Sequence, residues 1–136
     1  VPARPLIMLK HIVMWNVRGD DAATRAQNLA LLKAEFESLR GRVPGLLHLE
    51  VGVDESGVDY ACDVVLYTEF ESREALAAYA DHPEHLRVRR TLGDIRTSRH
   101  QVDYAVAATD RAQPPMPAGS TAGEPQPGDT HHVQTL

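Results

Sequence analysis

Two strand patterns in direct succession, placed between two amphipathic helix patterns, constrain the fold of this chain more than any other sequence feature. Residues 45–55 (GLLHLEVGVDE) alternate between apolar and polar side chains, which is typical of a strand with one buried face. The apolar members of that alternation are Leu47, Leu49, Val51 and Val53. A short ESGVD turn then leads into a third strand, predicted from Tyr60 to Phe70.

A strand and a helix precede this pair. Residues from about Leu6 to Val17 are apolar and rich in β-branched types, which predicts the first strand. His11, Val13, Trp15 and Val17 are predicted to lie on one face of this strand. Asp20 or Asp21 then offers an N-cap for a helix that Gly41 and Pro44 end. The apolar stripe of this helix consists of Leu29, Leu32, Phe36 and Leu39.

The second half of the chain repeats the alternation of helix and strand. Ser72 is the predicted N-cap of a second helix, and Pro83 must break or restart it because proline removes a backbone donor. A third helix is predicted from about Glu84 to Ile95, and a last strand from Arg99 to Ala107. The order β-α-β-β-α-β is that of an α+β, ferredoxin-like domain.

Such a domain has a four-stranded antiparallel sheet with its helices on one face. The opposite face of the sheet then needs cover. We therefore expect a partner sheet, most simply from a second copy of the chain.

Composition excludes some classes of function. The chain has 136 residues and a formal net charge of −5, which does not favour nucleic-acid binding. The short basic run Arg87, Arg89 and Arg90 is interpreted as a solvated helix face rather than a phosphate site. Cys62 lies in the predicted third strand, where we expect a small buried residue. No segment is apolar enough to span a membrane, and we expect a cytoplasmic protein.

The composition changes abruptly near Ala107. Residues 108–136 have no aromatic side chain and contain five of the nine prolines, which predicts a disordered tail after a domain of residues 1–107. The tail contains His131 and His132. Adjacent histidines on a flexible segment are a weak ligand set for a metal.

The segment AYADHPEHLRV, residues 78–88, concentrates side chains that move protons: Tyr79, His82 and His85. Imidazole titrates near neutral pH, so this cluster is compatible with acid–base catalysis. In a structural interpretation, Tyr79 packs its ring in the core and His82, forced out of helix by Pro83, caps the next helix. Metal binding is disfavoured because no cysteine or carboxylate lies at a strong ligand spacing.

Three segments together resemble the Dabb family of stress-responsive A/B barrel domains. They are KHIVMWNV in the first strand, VPGLLHLEVGVD after the first helix, and DVVLYTEFESREALAAYADHPEHLRV through the second helix. The resemblance runs from about Lys10 to Val106 and implies a ferredoxin-like protomer. It also implies a homodimer in which two sheets pack into a dimeric α+β barrel.

The family includes plant stress proteins and olivetolic acid cyclase, a plant polyketide cyclase that closes a ring by aldol condensation without a cofactor. The resemblance to that cyclase, which is distant, implies catalytic roles for Tyr79, His85 and His11. Two pocket positions differ, because a histidine of the cyclase falls on Val64 and a tyrosine falls on Phe36. The resemblance therefore implies a pocket that is more apolar than that of the cyclase and that keeps only some of its proton-transfer groups.

In the resulting hypothesis His85 is the base, Tyr79 is its partner or an oxyanion donor, and His11 positions the substrate. The predicted ligand-binding residues are Trp15, Val13, Phe36, Val64 and His82. We expect a homodimer that binds a small apolar or phenolic molecule between sheet and helices, with no cofactor, metal, nucleic acid or membrane. A non-catalytic stress-response or scaffold dimer and a cofactor-independent monooxygenase are the alternatives.

Overall fold

The structure is a computed structural model that describes residues 7–107. The predicted tail, with His131 and His132, lies outside the described residues. The strands and helices follow in the order β1 (Ile7–Val17), α1 (Ala22–Glu37), β2 (Leu46–Val53), β3 (Val64–Phe70), α2 (Arg73–Ala80), α3 (Pro83–Leu92) and β4 (Arg96–Ala107).

The four strands form one antiparallel sheet in the order β2-β3-β1-β4. The predicted α+β, ferredoxin-like topology is confirmed. The first strand is central, and its residue His11 lies opposite Thr68 of β3 and opposite Asp103 of β4. Directly paired residues point to the same face of a sheet, so this register brings side chains from three strands together.

The core lies between one face of this sheet and the helices. Val13 and Trp15 of β1 are almost fully buried, as are Leu32 and Phe36 of α1. The Trp15 and Phe36 rings stack with centroids 5.1 Å apart, which joins helix to sheet. The shared strand face of His11, Val13, Trp15 and Val17 is confirmed and is buried, and the apolar stripe of the first helix is confirmed.

The third strand begins at Val64, so the predicted start at Tyr60 is wrong. Polar contacts hold the preceding segment as a loop: the Gly57 amide donates to the Asp54 carboxylate (2.9 Å), and the Val17 amide donates to the Asp63 carboxylate (2.8 Å). Cys62 is therefore a partly exposed loop residue rather than a buried strand residue.

One strand face and two further boundaries differ from the prediction. Leu47 does not share the buried face of β2, because the register shifts between Leu46 and His48 and leaves the side chain 46% exposed. The third helix ends at Leu92 rather than Ile95, since Gly93 takes a positive φ of 54° there. The last strand accordingly begins at Arg96, three residues before the predicted start.

The break between α2 and α3 follows the prediction. The Ser72 side chain accepts the Ala75 amide and begins α2, and Pro83 occupies the first turn of α3. His82 is the N-cap of α3, where its Nδ1 accepts the Glu84 amide (3.1 Å). The capping role predicted for His82 is confirmed.

The opposite face of the sheet carries apolar side chains that no described element covers. Met14, Val102 and Tyr104 are 38%, 52% and 42% exposed, respectively. Contiguous apolar surface of this kind is typical of an interface. No helix in residues 7–107 is both long and apolar enough to cross a membrane.

Gly45 allows α2 to pack closely against the loop before β2. It has a φ of +80°, and a Cβ added there would lie 2.5 Å from the Cβ of Ala75. We expect Gly45→Ala to lower the free energy of unfolding by about 1–2 kcal/mol for the left-handed backbone and about 1–3 kcal/mol more for the clash. Urea denaturation of the purified protein measures both contributions.

Gly41→Ala is the matched control, because Gly41 has a φ of +75° with no atom within 4 Å of an added Cβ. Only the backbone contribution should appear in this variant. Equal losses in the two variants would show that the contact of α2 with this loop is not tightly packed.

Candidate active site

The structure brings Tyr79, His85 and His11 together on the helix side of the sheet. Tyr79 lies at the end of α2 and His85 at the start of α3, and their ring centroids are 4.3 Å apart. His11 reaches the same place from the central strand, with its ring 6.1 Å from that of Tyr79. The three residues for which the resemblance implies catalysis are therefore neighbours, although their catalytic role stays a prediction.

Tyr79 is buried, with 3% of its surface exposed. Its hydroxyl is enclosed and has no hydrogen-bond partner among the described residues. Burial raises the pKa of the phenol above its ordinary value, and the nearby charges of Arg99 and Arg96 oppose this rise only in part. The side chain is therefore a neutral phenol at physiological pH, with a proton to donate.

His85 is half-buried beside Tyr79. Its Nδ1–H donates to the carbonyl oxygen of Ala80 (3.0 Å), because a carbonyl can only accept. The Nε2 atom of the neutral ring consequently keeps its lone pair. Burial lowers the pKa of His85 below 6.5, with the hydrogen bond to Ala80 opposing this effect and the nearby arginines adding to it. The ring is thus a neutral base at physiological pH.

His11 is held by an acidic partner that the sequence reasoning missed. Its Nδ1–H donates to the Asp103 carboxylate (2.6 Å), and Asp103 also accepts the Gln101 side chain (3.0 Å). Gln101 in turn accepts the Nε–H of Arg99 (3.1 Å). Arg99, Gln101 and Asp103 alternate along β4 and lie on the same sheet face as His11. The sequence could have indicated this contact, because the ferredoxin-like order pairs the last strand with the first.

The predicted ligand-binding residues are mostly packed core. Val13, Trp15, Phe36 and Val64 are each 2% exposed or less. They form an apolar support behind the tyrosine and histidine cluster, while His82 is engaged as a helix cap. Their contact with a ligand stays a prediction.

Three of the clefts that the described residues form lie near the sheet. One of about 570 Å³ lies beside the loop after β2 and is lined by residues including Met14, Cys62, Val65 and His100. A second, of about 390 Å³, lies at the start of β2. The third, about 360 Å³, is lined by Trp15, Arg89, Gly93, Arg96, Thr97, Ser98 and Arg99.

None of these clefts has Tyr79, His85 or His11 in its wall. Tyr79 packs its ring 5.1 Å from Phe70 as well as against His85, so side chains occupy much of the space around it. A ligand cavity between sheet and helices therefore stays a prediction. The third cleft lies on the side of Arg96 and Arg99, the two cations whose charges act on Tyr79.

Within residues 7–107 no group of three His, Cys, Asp or Glu side chains is placed to hold a metal ion. Asp63 and Glu69 belong to different parts of the fold. Tyr67 donates to Glu69 (2.7 Å), whereas Asp63 lies in the loop before β3.

The family model described as "Stress responsive A/B Barrel Domain" matches residues 9–106 of the chain. No curated protein sequence matches it significantly. A dimeric protein of unknown function and ferredoxin-like fold from Bacteroides fragilis is similar in structure, with 29% sequence identity and a TM-score of 0.66. The alignment covers 73% of this chain and 96% of that chain.

Two solved structures with names that describe activities also share the fold. Hydroxynitrile lyase from Passiflora edulis is 14% identical with a TM-score of 0.63, over 76% of this chain and 95% of the lyase. A putative antibiotic biosynthesis monooxygenase from Nitrosomonas europaea is 17% identical with a TM-score of 0.57, over 79% of this chain and 97% of that chain. At these identities the likeness shows the fold alone.

The enclosed hydroxyl of Tyr79 predicts an unusual stability effect. Leaving a buried polar group without a partner costs about 1–3 kcal/mol. We expect Tyr79→Phe to raise the free energy of unfolding by about 1 kcal/mol, measured by urea denaturation at pH 7. Tyr67→Phe is the matched control, because it removes the hydroxyl that donates to Glu69 and should destabilise by about 0.5–1.5 kcal/mol. Destabilisation by Tyr79→Phe would show that its hydroxyl is satisfied in the folded protein.

Proposed function

The chain belongs to the stress-responsive A/B barrel domain (Dabb) family, and from this membership and the site geometry we propose a homodimer that performs cofactor-free acid–base chemistry on a small, largely apolar molecule. The observation that carries the proposal is the enclosed hydroxyl of Tyr79, which has no partner among the described residues and lies beside His85. An enolisable carbonyl compound is the substrate class that fits these groups.

The hydroxyl of Tyr79 supports the proposal because its burial is unfavourable for the free protein. Buried polar groups in folded proteins are nearly always hydrogen-bonded, and exceptions often mark a functional site. A ligand oxygen that accepted the phenolic proton would remove this cost. The raised pKa keeps the proton on the phenol until such an acceptor arrives.

His85 supplies the complementary group. In the proposed reaction its Nε2 takes a proton from the carbon next to a carbonyl, and the C–H electron pair forms the enolate, whose oxygen accepts the proton of Tyr79 in a hydrogen bond. The enolate carbon then bonds to the carbon of a second carbonyl group. The oxygen of that group takes the proton back from His85, so the protein is restored and no oxidant or cofactor is consumed.

His11 would position the substrate rather than exchange protons with it. Its hydrogen bond to Asp103 fixes the ring, and edge contacts with Phe70 and Tyr79 hold it beside the reacting groups. The Trp15 ring, which lines the third cleft, favours a ligand with an aromatic or hydrocarbon part. A hydroxynitrile lyase with the same fold supports lyase-type chemistry as compatible with this architecture.

Proton abstraction can be measured without knowing the natural substrate. We expect the protein to catalyse deuterium incorporation from D₂O next to the carbonyl of 4-phenyl-2-butanone, followed by NMR. His85→Gln should reduce the rate by about 100-fold or more, and Tyr79→Phe by a similar factor. The rate should increase with pH through a midpoint below 6.5, because the lowered pKa of His85 keeps the base neutral above that value.

His48→Gln is the control for these variants, since His48 is a half-exposed histidine on β2 that interacts with Glu50 away from the cluster. It should exchange deuterium at the wild-type rate. Equal rates for the wild type and His85→Gln would refute catalysis and favour a non-catalytic stress-response or scaffold dimer. Oxygen uptake with the ketone would instead favour a cofactor-independent monooxygenase, an activity suggested by the name of one structural neighbour.

The proposed dimer forms through the exposed sheet face with Met14, Val102 and Tyr104, in keeping with the dimeric relative from Bacteroides fragilis. We expect Val102→Glu to shift the protein from dimer to monomer in light scattering, because two such charges would be buried without partners. Leu31→Glu is the control on the outer side of α1, where 38% of the leucine is exposed. A dimer unaffected by Val102→Glu would place the interface elsewhere.

A further inference from the structure

Three arginines line the cleft between α3 and β4 without acidic partners. Arg89 comes from α3, and Arg96 and Arg99 come from β4; we call the space between them the arginine cleft, of about 360 Å³. Among the described residues none of the three forms an ion pair with a carboxylate. A guanidinium remains charged at all physiological pH values, so the cleft concentrates positive charge.

The basic run of α3, interpreted from the sequence as a solvated face, is divided by the fold. Arg87 is neutralised by Glu84 (2.7 Å) and Glu35 (3.2 Å), and Arg90 points to solvent. Arg89 alone joins the cleft. Arg89 is exposed, as the sequence interpretation predicts, and the other two arginines of the cluster come from the following strand.

Arg96 is the best-placed of the three to hold a ligand. It is half-buried, and its guanidinium carbon lies 5.5 Å from the centre of the Trp15 ring in a cation–π contact. Burial and then the charges of Arg89 and Arg99 lower its pKa, so the three cations disfavour one another. A bound anion would offset that mutual repulsion, and a stacked, oriented guanidinium is suited to two parallel hydrogen bonds to an oxyanion.

The arginine cleft and the catalytic candidates belong to one neighbourhood. The charges of Arg96 and Arg99 reach both the Tyr79 hydroxyl and the His85 ring. Arg99 is also linked to His11 through Gln101 and Asp103. Arg96 and Arg99 therefore place positive charge close to the side chains that would act on a carbonyl group.

We propose that the arginine cleft binds the carboxylate or phosphate group of a small aromatic acid whose carbonyl is directed to Tyr79 and His85. The proposal rests on the proposed function only in taking Tyr79 and His85 as the reacting end. It identifies the substrate as an anion with an apolar body, rather than a neutral apolar molecule.

Binding of matched ligands to the full-length protein tests the charge requirement. Isothermal titration calorimetry at low salt compares 4-oxo-4-phenylbutanoate with its neutral amide, and phenyl phosphate with phenol. We expect the anions to bind about 10–100-fold more tightly than their neutral counterparts. Tighter binding of the butanoate indicates a carboxylate site, and tighter binding of the phosphate indicates a phosphate site. Equal affinity for charged and neutral ligands overturns the proposal, as does no binding of either anion.

Arginine variants then locate the site. Arg96→Gln should weaken the binding of the anions by about tenfold or more and leave the binding of the amide unchanged. If Arg96→Gln fails to fold, Arg99→Gln at the exposed rim replaces it as the test variant, with the same expected result. Arg90→Gln, a neighbouring exposed arginine outside the cleft, should bind like the wild type. Equal weakening by Arg90→Gln and Arg96→Gln would show that the attraction is a general surface effect and overturn the proposal.

The deuterium exchange assay separates this proposal from the proposed catalysis. Anion binding that depends on Arg96, without exchange in any ketone, would refute catalysis and keep the anion site. Deuterium exchange together with equal affinity for the acid and its amide would refute the anion site and leave the proposed catalysis supported.

Discussion

The arrangement of the site depends on the antiparallel pairing of β1 with two strands that are distant in sequence. Because β1 lies between β3 and β4, every second residue of β1 faces the helices with a neighbour on each side. At His11 that neighbour on β4 is Asp103, which accepts its Nδ1–H. A register shift by one residue would turn His11 to the opposite face and remove it from the cluster.

The helix break at Pro83 completes the cluster from the other side. A continuous helix would place Tyr79 and His85 six positions and about 120° apart around the axis, on different faces. The break, capped by His82, lets α3 begin at a new angle. The result is a ring contact at 4.3 Å and a hydrogen bond from His85 to the carbonyl of Ala80. The break at Pro83 thus brings Tyr79 and His85, which are close in sequence, into direct contact in the fold.

Local patterns in the sequence predicted the elements and part of the site. The alternation in β1, the stripe of α1 and the cap at Ser72 are decided by neighbouring residues, so periodicity is informative about them. The loop before β3 was missed because Asp63 is held by Val17, a contact across the fold rather than along the chain. Asp103 and Arg96 were missed for the same reason. The partner of Asp103 is His11, 92 residues away in sequence, and the partner of Arg96 is Trp15 on another strand.

Two energetically unfavourable features occur at the same end of this domain. One is the Tyr79 hydroxyl without a described partner, and the other is a set of three arginines without carboxylates. Elsewhere the described chain satisfies comparable groups: Arg87 has two acidic partners, and Tyr67 donates to Glu69. Folded proteins satisfy local rules almost everywhere and depart from them mainly at functional sites. One ligand could stabilise both features. Its carbonyl oxygen would accept the hydrogen bond of the enclosed hydroxyl, and its anionic end would neutralise the excess positive charge beside it.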